Sequence, residues 1–242
     1  MSHLVVHINT NPNLYSKDPQ KTTLGRKIIK ESVLMIEEIG LERFTFRKLA
    51  KKIESTESSI YRYFDNKHQL FVYLLNWYWE WMIARIEFNT MNIDDASRRL
   101  KIVLGVIVDS ANRNMDVEFV DEDALFRIVV REGTKAYHHN TVEADNNEGY
   151  FLAYKRLCEK IAGIILEVNG TFPYPRSFAN TLIETTNNTL FNAKYLPRLT
   201  DLDGNSTDLT QDIKQMLEYF AFGLIEKEAQ SQVNASAIKL NN

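Results

Sequence analysis

The stretch "TFRKLAKKIESTESSIYRYFDNKHQL", residues 45–70, decides the fold because it contains two short helical patterns separated by a turn. Thr45 is a good N-cap for the first helix. The apolar side chains of that helix recur at helical spacing and are Phe46, Leu49, Ala50 and Ile53. Thr56 can cap the second helix, on which Ile60 and Phe64 share one face at about 100° per residue. Two short helices joined by about three residues predict a helix-turn-helix.

The outer side of the second helix has the chemistry that a DNA-reading surface needs. Ser58, Ser59 and Arg62 fall opposite the apolar pair, with Tyr61 and Tyr63 on the flanks. Small serines allow close approach to the major groove, and an arginine can bond both O6 and N7 of a guanine. Phosphate contacts need donors at the borders, and the candidates are Thr45, Tyr61, Tyr63 and Lys67. The wheel leaves a packing interpretation open, in which the tyrosines are half-buried and Arg62 is a solvated charge.

The 242-residue chain has 44% hydrophobic and 25% charged residues, which is the composition of a folded globular protein. Its single cysteine, Cys158, excludes an intrachain disulfide and a multi-cysteine metal site. We expect no secretory signal and no membrane helix, and hence a cytoplasmic protein. Residues 1–70 carry 12 Lys and Arg against 8 Asp and Glu, whereas the remainder carries 17 against 24. This basic front is a hint of a polyanion-binding region, although random variation in surface charge gives the same pattern.

Helical periodicity dominates the chain and predicts an all-α fold. A first helix should start near Thr22 or Thr23 and end at Gly40, and a long helix should run from about 67 to 88. Further helices are expected at about 94–113, 120–138, 146–168, 174–194 and 208–229. The expected domains are a flexible N-terminal tail (1–20), a helix-turn-helix domain (21–66), a larger helical regulatory and dimerisation domain (67–230) and a C-terminal tail (231–242).

Residues from about Thr22 to Leu75 resemble the DNA-binding region of the tetracycline-repressor (TetR) family of bacterial transcriptional regulators. The resemblance rests on a helix that ends at Gly40, on Phe44-Thr45, Leu49-Ala50, and on Tyr61-x-Tyr63-Phe64-x-Asn66-Lys67-x-x-Leu70. The resemblance implies that the DNA-binding residues are Thr45, Arg47, Glu57, Ser58, Ser59, Tyr61, Arg62, Tyr63 and Lys67. Within that set it places Tyr61 and Lys67 on phosphates.

Three residues depart from the family's pattern. Glu54-Ser55 stand where a glycine and a small apolar residue are usual, so Glu54 must accept a conformation that glycine takes freely, at about 1 kcal/mol. Glu57 suits the start of a helix but repels phosphates, and it can instead accept a hydrogen bond from a cytosine amine. The departures put the turn geometry and the operator sequence in question, and they leave the expected fold unchanged.

The resemblance also implies a larger helical domain that dimerises and holds a small ligand. Aromatic residues favour either a core or the wall of a pocket for an apolar or aromatic ligand; the pocket candidates are Trp77, Trp81, Phe126, Tyr150 and Tyr154. Apolar stripes on the last two helices predict either a four-helix dimer interface or a monomeric core. The interface candidates are Leu182, Thr186, Leu190, Met216, Leu217, Phe220 and Leu224.

The residues give no support to an enzyme. His138 and His139 are adjacent and would point apart on a helix, and His139 with Glu143 falls in an expected loop, so we expect no metal site. Cys158 has no evident base nearby and is interpreted as a core thiol. No glycine-rich phosphate loop is present, and no cofactor is expected.

The sequence therefore predicts a homodimeric DNA-binding transcriptional regulator that reads a palindromic operator in double-stranded DNA. It is expected to be a repressor whose operator affinity falls when a small ligand binds. The alternative is a helical protein-interaction module of the same fold that has lost specific DNA binding, which the three acidic and polar departures in the turn favour.

Overall fold

The computed structural model describes residues 8–109 and 119–240, with side chains up to residue 226. Over these residues the chain is helical and contains no β-strand, which confirms the all-α prediction. The helices are α1 (Thr23–Arg43), α2 (Phe46–Lys52), α3 (Glu57–Tyr61), α4 (Lys67–Thr90), α5 (Ala96–Val108), α6 (Glu122–Glu132), α7 (Val142–Asn147), α8 (Leu152–Val168), α9 (Pro175–Tyr195) and α10 (Leu209–Leu240). Within the described ranges, none of these helices combines the length and apolar character needed to cross a membrane.

Three helix boundaries differ from those predicted. The helix expected at 120–138 ends at Glu132 and gives way to a short 3-10 turn over Gly133–Ala136. The helix expected at 146–168 is divided into α7 and α8, because Gly149 adopts a φ of 76° that breaks the helical path. Helix α10 continues to Leu240, so the expected tail over 231–242 is helical as far as it is described. The predicted end of the helix at 113 lies outside the described residues.

The chain forms two compact units, each of which is discontinuous in sequence. The first comprises residues 8–82 and 119–155, and the second comprises 83–109 and 156–240. The boundaries fall inside α4 and α8, because residues 82 and 83, and residues 155 and 156, are consecutive helical positions. The predicted boundary at residues 66 and 67 stays a prediction.

Helix α1 forms the centre of the first unit by packing against α6. Ile28, Ile29 and Val33 are fully buried on its inner face, as the three- and four-residue spacing predicted. Thr22 caps this helix by accepting a hydrogen bond from the Gly25 amide. At Gly40 the backbone leaves the helical conformation with a φ of 78°, which agrees with the predicted end of the first helix.

The segment before α1 is packed, and the prediction of a flexible tail is wrong for residues 8–20. Leu14 is fully buried, and the Asn11 side-chain amide donates to the carbonyl of Gly149 at 2.8 Å. The Ser16 amide donates to the carbonyl of Tyr63 at 2.9 Å. The reason is that one apolar side chain and several polar groups all find partners on elements distant in sequence. Residues 1–7 lie outside the described part of the chain.

Candidate nucleic-acid interface

Helix α2 presents a basic outer face because its apolar stripe is buried. Phe46, Leu49 and Ala50 are buried on the inner side, whereas the charged residues Arg47, Lys48, Lys51 and Lys52 are exposed. Thr45 caps the helix by accepting a hydrogen bond from the Lys48 amide at 3.2 Å. The capping and the stripe follow the sequence prediction, and they hold Thr45 and Arg47 at the exposed start of the helix.

The turn between α2 and α3 has the hydrogen bonds of a Schellman C-cap formed without its usual glycine. The Ser55 amide donates to the Ala50 carbonyl at 2.9 Å, and the Glu54 amide donates to the Lys51 carbonyl at 3.4 Å. Glu54 has a φ of 55°, in the left-handed region that favours glycine. The expected strain at this glutamate is therefore present, and the turn nevertheless closes.

Helix α3 carries a polar face supported by a small hydroxyl network. Thr56 caps the helix by accepting from the Ser59 amide at 3.2 Å. The Thr56 hydroxyl also hydrogen-bonds to the hydroxyls of Ser58, at 3.1 Å, and Ser59, at 2.9 Å. Arg62 is exposed at the C-cap position, with a guanidinium N–H donating to Ser59 at 3.4 Å. Because this contact is long and exposed, the guanidinium is available to another acceptor.

The opposite side of α3 is anchored as the helical wheel predicted. Ile60 and Phe64 are fully buried. The Tyr61 ring packs edge-on against Phe46 with centroids 5.1 Å apart, while half of its surface stays exposed. The Tyr61 ring is thus held by α2 and remains accessible at the border of the polar face.

Tyr63 does not belong to the exposed surface, so its predicted contact with DNA is wrong. The side chain is only 3% exposed, and its hydroxyl hydrogen-bonds to the Thr22 hydroxyl at 2.8 Å. The physical reason is that α3 ends at Tyr61, and the turn that follows brings Tyr63 inward against Thr22 while Phe64 stays on the buried side. Tyr63 instead fixes the C-terminal end of α3 to the N-terminus of α1.

Two lysines beside the polar face cover the C-terminal end of α1. Lys67 donates to the carbonyls of Leu41 and Glu42, both at 3.3 Å, and Lys48 donates to the Arg43 carbonyl at 2.8 Å. Cations are favourable at the C-terminus of a helix, where carbonyl groups lack intrahelical partners. Lys67 therefore has a partner inside the protein, and its exposed ammonium retains a further donor.

Residues 43–67 contain seven Lys and Arg and three Asp and Glu. Two of these acids, Glu54 and Glu57, lie in the turn and at the start of α3, and both are exposed. The net positive charge of residues 43–67 favours binding of a polyanion. The Glu57 carboxylate repels anions, so a hydrogen-bond donor of the ligand would have to face it.

The predicted pocket residues all lie in the first unit, and the most buried of them form an aromatic core. Trp77 and Trp81 stack with centroids 6.4 Å apart and are almost inaccessible. Phe126 is also buried, whereas Tyr150 and Tyr154 are half-buried. The Trp77 indole N–H is buried without a hydrogen-bond partner among the described residues.

The predicted dimer residues divide into two groups. Thr186 and Leu217 are buried by the packing of α5, α9 and α10 within one chain, so their assignment to a dimer surface is wrong. Leu182 is also buried, but it lines an open groove beside α10. The periodicity that revealed their buried face could not reveal whether the partner was another helix of the same chain. Of the others, Leu190 and Met216 are half-buried, and Phe220 and Leu224 are exposed.

An open groove beside these two exposed residues has a volume of about 410 Å³. It is lined by Phe178, Thr181, Leu182, Thr185, Tyr219, Phe220, Gly223 and Leu224. Tyr219 is 78% exposed, Phe220 43% and Leu224 49%. Such a contiguous apolar patch is typical of a protein-interaction surface.

One group of polar residues was missed by the sequence analysis. His68, His139 and Asp145 converge in the first unit, whereas the sequence led us to expect no metal site. A separation of 77 residues between His68 and Asp145 leaves no local pattern that could have predicted the contact.

Residues 28–74 match the family model described as "Bacterial regulatory proteins, tetR family". That description agrees with the TetR resemblance of residues 22–75. Among curated proteins, the nucleoid occlusion factor SlmA of Haemophilus influenzae is 32% identical over 77 residues, which cover 32% of this chain and 35% of SlmA. The chain thus matches about a third of the length of that relative.

Two solved structures share the fold over most of the chain. AibR in complex with isovaleryl coenzyme A and operator DNA has a TM-score of 0.55 and 13% identity, covering 81% of this chain and 97% of AibR. The fatty acid degradation regulator FadR from Bacillus halodurans has a TM-score of 0.57 and 18% identity, covering 79% and 96% of the two chains. At these identities, the similarity establishes the helical fold.

Proposed function

We propose that this chain is a dimeric transcriptional regulator that reads a palindromic operator with α3. The match of residues 28–74 to the tetR family of bacterial regulatory proteins supports this proposal. The observation that carries the proposal is the polar face of Ser58, Ser59 and Arg62, which lies opposite the buried pair Ile60 and Phe64. Ser58 and Arg62 are exposed, and Ser59 is half-buried. A short capped helix with small residues and an arginine on its outer side fits the major groove.

The proposed base contacts come from both ends of the helix-turn-helix. Arg62 bonds the O6 and N7 atoms of a guanine, and Glu57 accepts from a cytosine amine. Arg47, at the exposed start of α2, reaches a further base. Thr45, Tyr61 and Lys67 contact phosphates at the borders and set the register without reading sequence.

The proposed dimer forms through the exposed residues of α9 and α10. Tyr219, Phe220 and Leu224 supply a large apolar area on α10, and Gly223 between them lets a second helix approach closely. A twofold dimer would supply two copies of α3, and the half-sites of a palindrome lie about 34 Å apart. This geometry would explain a palindromic operator.

The proposed effector is a small apolar or aromatic ligand that lowers operator affinity, which makes the protein a repressor. The buried Trp77 N–H supports a site near α4, because an acceptor on a ligand would satisfy it. The AibR structure contains both isovaleryl coenzyme A and operator DNA, so the shared fold accommodates both kinds of partner. A coupling of about 1–3 kcal/mol between ligand and DNA binding is sufficient for such a switch.

The test is selection of genomic fragments on the purified chain, followed by affinity measurements at several salt concentrations. We expect an enriched palindrome and a steep loss of affinity with salt. Arg62→Ala should cost about 1–3 kcal/mol on the selected site and relax the preference at one position in each half-site. Arg198→Ala removes the same charge from an exposed position of the second unit and should change neither property.

Two outcomes would overturn the proposal. If no palindrome is enriched and binding does not depend on salt, the chain is instead an interaction module of the same fold, as Glu54 and Glu57 in the turn favour. If Arg62→Ala and Arg198→Ala weaken DNA binding equally, α3 does not read the bases.

A further inference from the structure

We propose that His68, His139 and Asp145 form a binding site for a divalent transition-metal ion of the zinc type. The three side chains come from separate elements: the first turn of α4, the turn after Ala136, and α7. Their potential ligand atoms all lie within 4.8 Å of one another. The inference concerns metal binding alone and does not depend on the proposed DNA-binding function.

The distances fit a site that closes through side-chain movements of at most about 1.5 Å, because donor atoms that lie within 4.8 Å of one another must come to about 3.3 Å around the ion. The His68 Nε2 atom lies 2.6 Å from Asp145 Oδ2, and His139 Nε2 lies 3.4 Å from the same oxygen. Donors around a tetrahedral zinc ion, with bonds of about 2.0–2.1 Å, are separated by about 3.3 Å. A metal ion would therefore push His68 and Asp145 apart by less than about 1 Å, replacing their hydrogen bond with two bonds to the ion.

The donor types select the class of metal. Two imidazoles and one carboxylate suit zinc and its transition-metal neighbours, whereas magnesium and calcium prefer an all-oxygen set. Three protein ligands leave a fourth position for water or another ligand. The side chains of His68, His139 and Asp145 are 36%, 22% and 15% exposed, so the group is partly sheltered and still open to an ion from solvent.

Outer contacts orient both histidines. The first turn of α4 is fixed because Asn66 Oδ1 accepts from the Gln69 amide at 2.8 Å while Gln69 Oε1 accepts from the Asp65 amide at 2.7 Å. His68 lies between Asn66 and Gln69 in the chain, so these reciprocal bonds fix the backbone on both sides of it. The Thr141 hydroxyl lies 3.1 Å from His139 Nδ1 and can accept its proton when the other ring nitrogen binds metal.

Metal binding requires a change of tautomer at both histidines. His68 Nε2 carries the proton of its 2.6 Å bond to Asp145 Oδ2, so that proton must move to His68 Nδ1 before Nε2 can coordinate the ion. The same holds at His139. Its Nε2 lies 2.9 Å from the Ala136 carbonyl, which can only accept, so Nε2 carries the proton in the free protein. On binding, Nε2 gives up this contact to coordinate the ion, and the proton moves to Nδ1. Nδ1 then donates to the Thr141 hydroxyl at 3.1 Å and gives up the 3.3 Å hydrogen bond that it accepts from the Thr141 amide. The neutral ring has one proton in both states, so the exchange is balanced without a net loss of charge.

The experiment is a titration of the full chain, free of any histidine tag, with Zn²⁺ in competition with a chromophoric chelator. We expect one ion per chain. His139→Gln and Asp145→Asn should each weaken binding by at least about tenfold, because each removes a ligand. His138→Gln is the matched control, since His138 is adjacent and exposed but is not part of the cluster, and it should bind as tightly as the wild type.

The other two histidines of the chain are replaced in a double variant, His3→Gln with His7→Gln. This variant should also keep the wild-type affinity for Zn²⁺. Thermal unfolding provides a second measurement: Zn²⁺ should raise the midpoint of the wild type and of His138→Gln, and leave that of His139→Gln unchanged. Equal affinity of His139→Gln, Asp145→Asn and the wild type would overturn the proposal, as would loss of the ion in the double variant. In either case the cluster is a hydrogen-bonded His–Asp pair only.

Discussion

Replacement of Glu54 by glycine should stabilise the protein, because Glu54 occupies a left-handed turn position with a φ of 55°. The turn is closed by the amides of Glu54 and Ser55, and glycine can form the same two hydrogen bonds. Glycine has no Cβ to clash with the following carbonyl in this conformation. The substitution therefore removes strain and leaves the path of the chain between α2 and α3 unchanged.

The size of the effect follows from two opposing terms. The left-handed conformation costs a residue with a side chain about 1–2 kcal/mol. Glycine also lowers the stability by about 0.4–1 kcal/mol, because it increases the conformational entropy of the unfolded chain. The midpoints of the two ranges give a rise of about 0.8 kcal/mol in the free energy of unfolding. This corresponds to roughly 2–3 °C in the unfolding midpoint if the whole chain unfolds together.

Glu54→Ala is the matched control because it removes the same charge and keeps the Cβ atom. Urea unfolding should show the glycine variant to be more stable than the alanine variant at an unchanged m-value. Both variants remove one acid beside the reading helix, so both should bind DNA more tightly than the wild type by the same factor. The difference in stability between the two variants thus measures the backbone strain at position 54, and the change in DNA affinity measures the effect of the lost negative charge.

Equal stability of Glu54→Gly and Glu54→Ala would refute the reasoning, since it would mean that Glu54 is not strained. A glycine variant that is less stable than the wild type would lead to the same conclusion.

Four further changes test other parts of the structure. Lys67→Ala should weaken binding to all DNA sequences alike and reduce the salt slope by about 1, as measured by titration at several salt concentrations. Tyr63→Phe should lower the free energy of unfolding by about 1 kcal/mol, because it loses a buried hydrogen bond, while base preference stays the same in a selection. Phe220→Glu should give a monomeric mass by light scattering, since it places a charge in the proposed dimer surface. Burial raises the pKa of the Tyr73 phenol, so stability should be complete below about pH 10 and fall as the pH rises further, and Tyr73→Phe should flatten that decline in urea unfolding.

Local signals in the sequence were sufficient for the reading region. The threonines at 22, 45 and 56 each cap a helix as predicted, because a cap depends only on a hydroxyl and an amide two or three residues away. Ile60 and Phe64 are buried as their spacing required. The left-handed φ at Glu54 was also predictable. Only Ile53 lies between the end of α2 at Lys52 and Glu54, whose amide helps to close the turn.

Features that depend on distant partners could not be predicted in the same way. A helical stripe shows which side of a helix is buried, and it does not identify what covers it, so Thr186 and Leu217 were assigned to the wrong partner. Tyr63 was misplaced because the length of α3 depends on tertiary packing. The meeting of His68 with Asp145 depends on how the segment after α6 folds back onto α4, which no periodicity encodes.

The discontinuity of the first unit has a consequence for how the chain folds during synthesis. Asn11 hydrogen-bonds to the carbonyl of Gly149, 138 residues later. At about 5–20 residues per second, the ribosome needs roughly 7–28 s to deliver the second partner after the first. Until Glu132 has been synthesised, α1 lacks the complete α6, and the apolar faces that α6 later covers are open to chaperones and to other nascent chains. The helix-turn-helix, although first in sequence, completes its unit only after residue 155 has emerged.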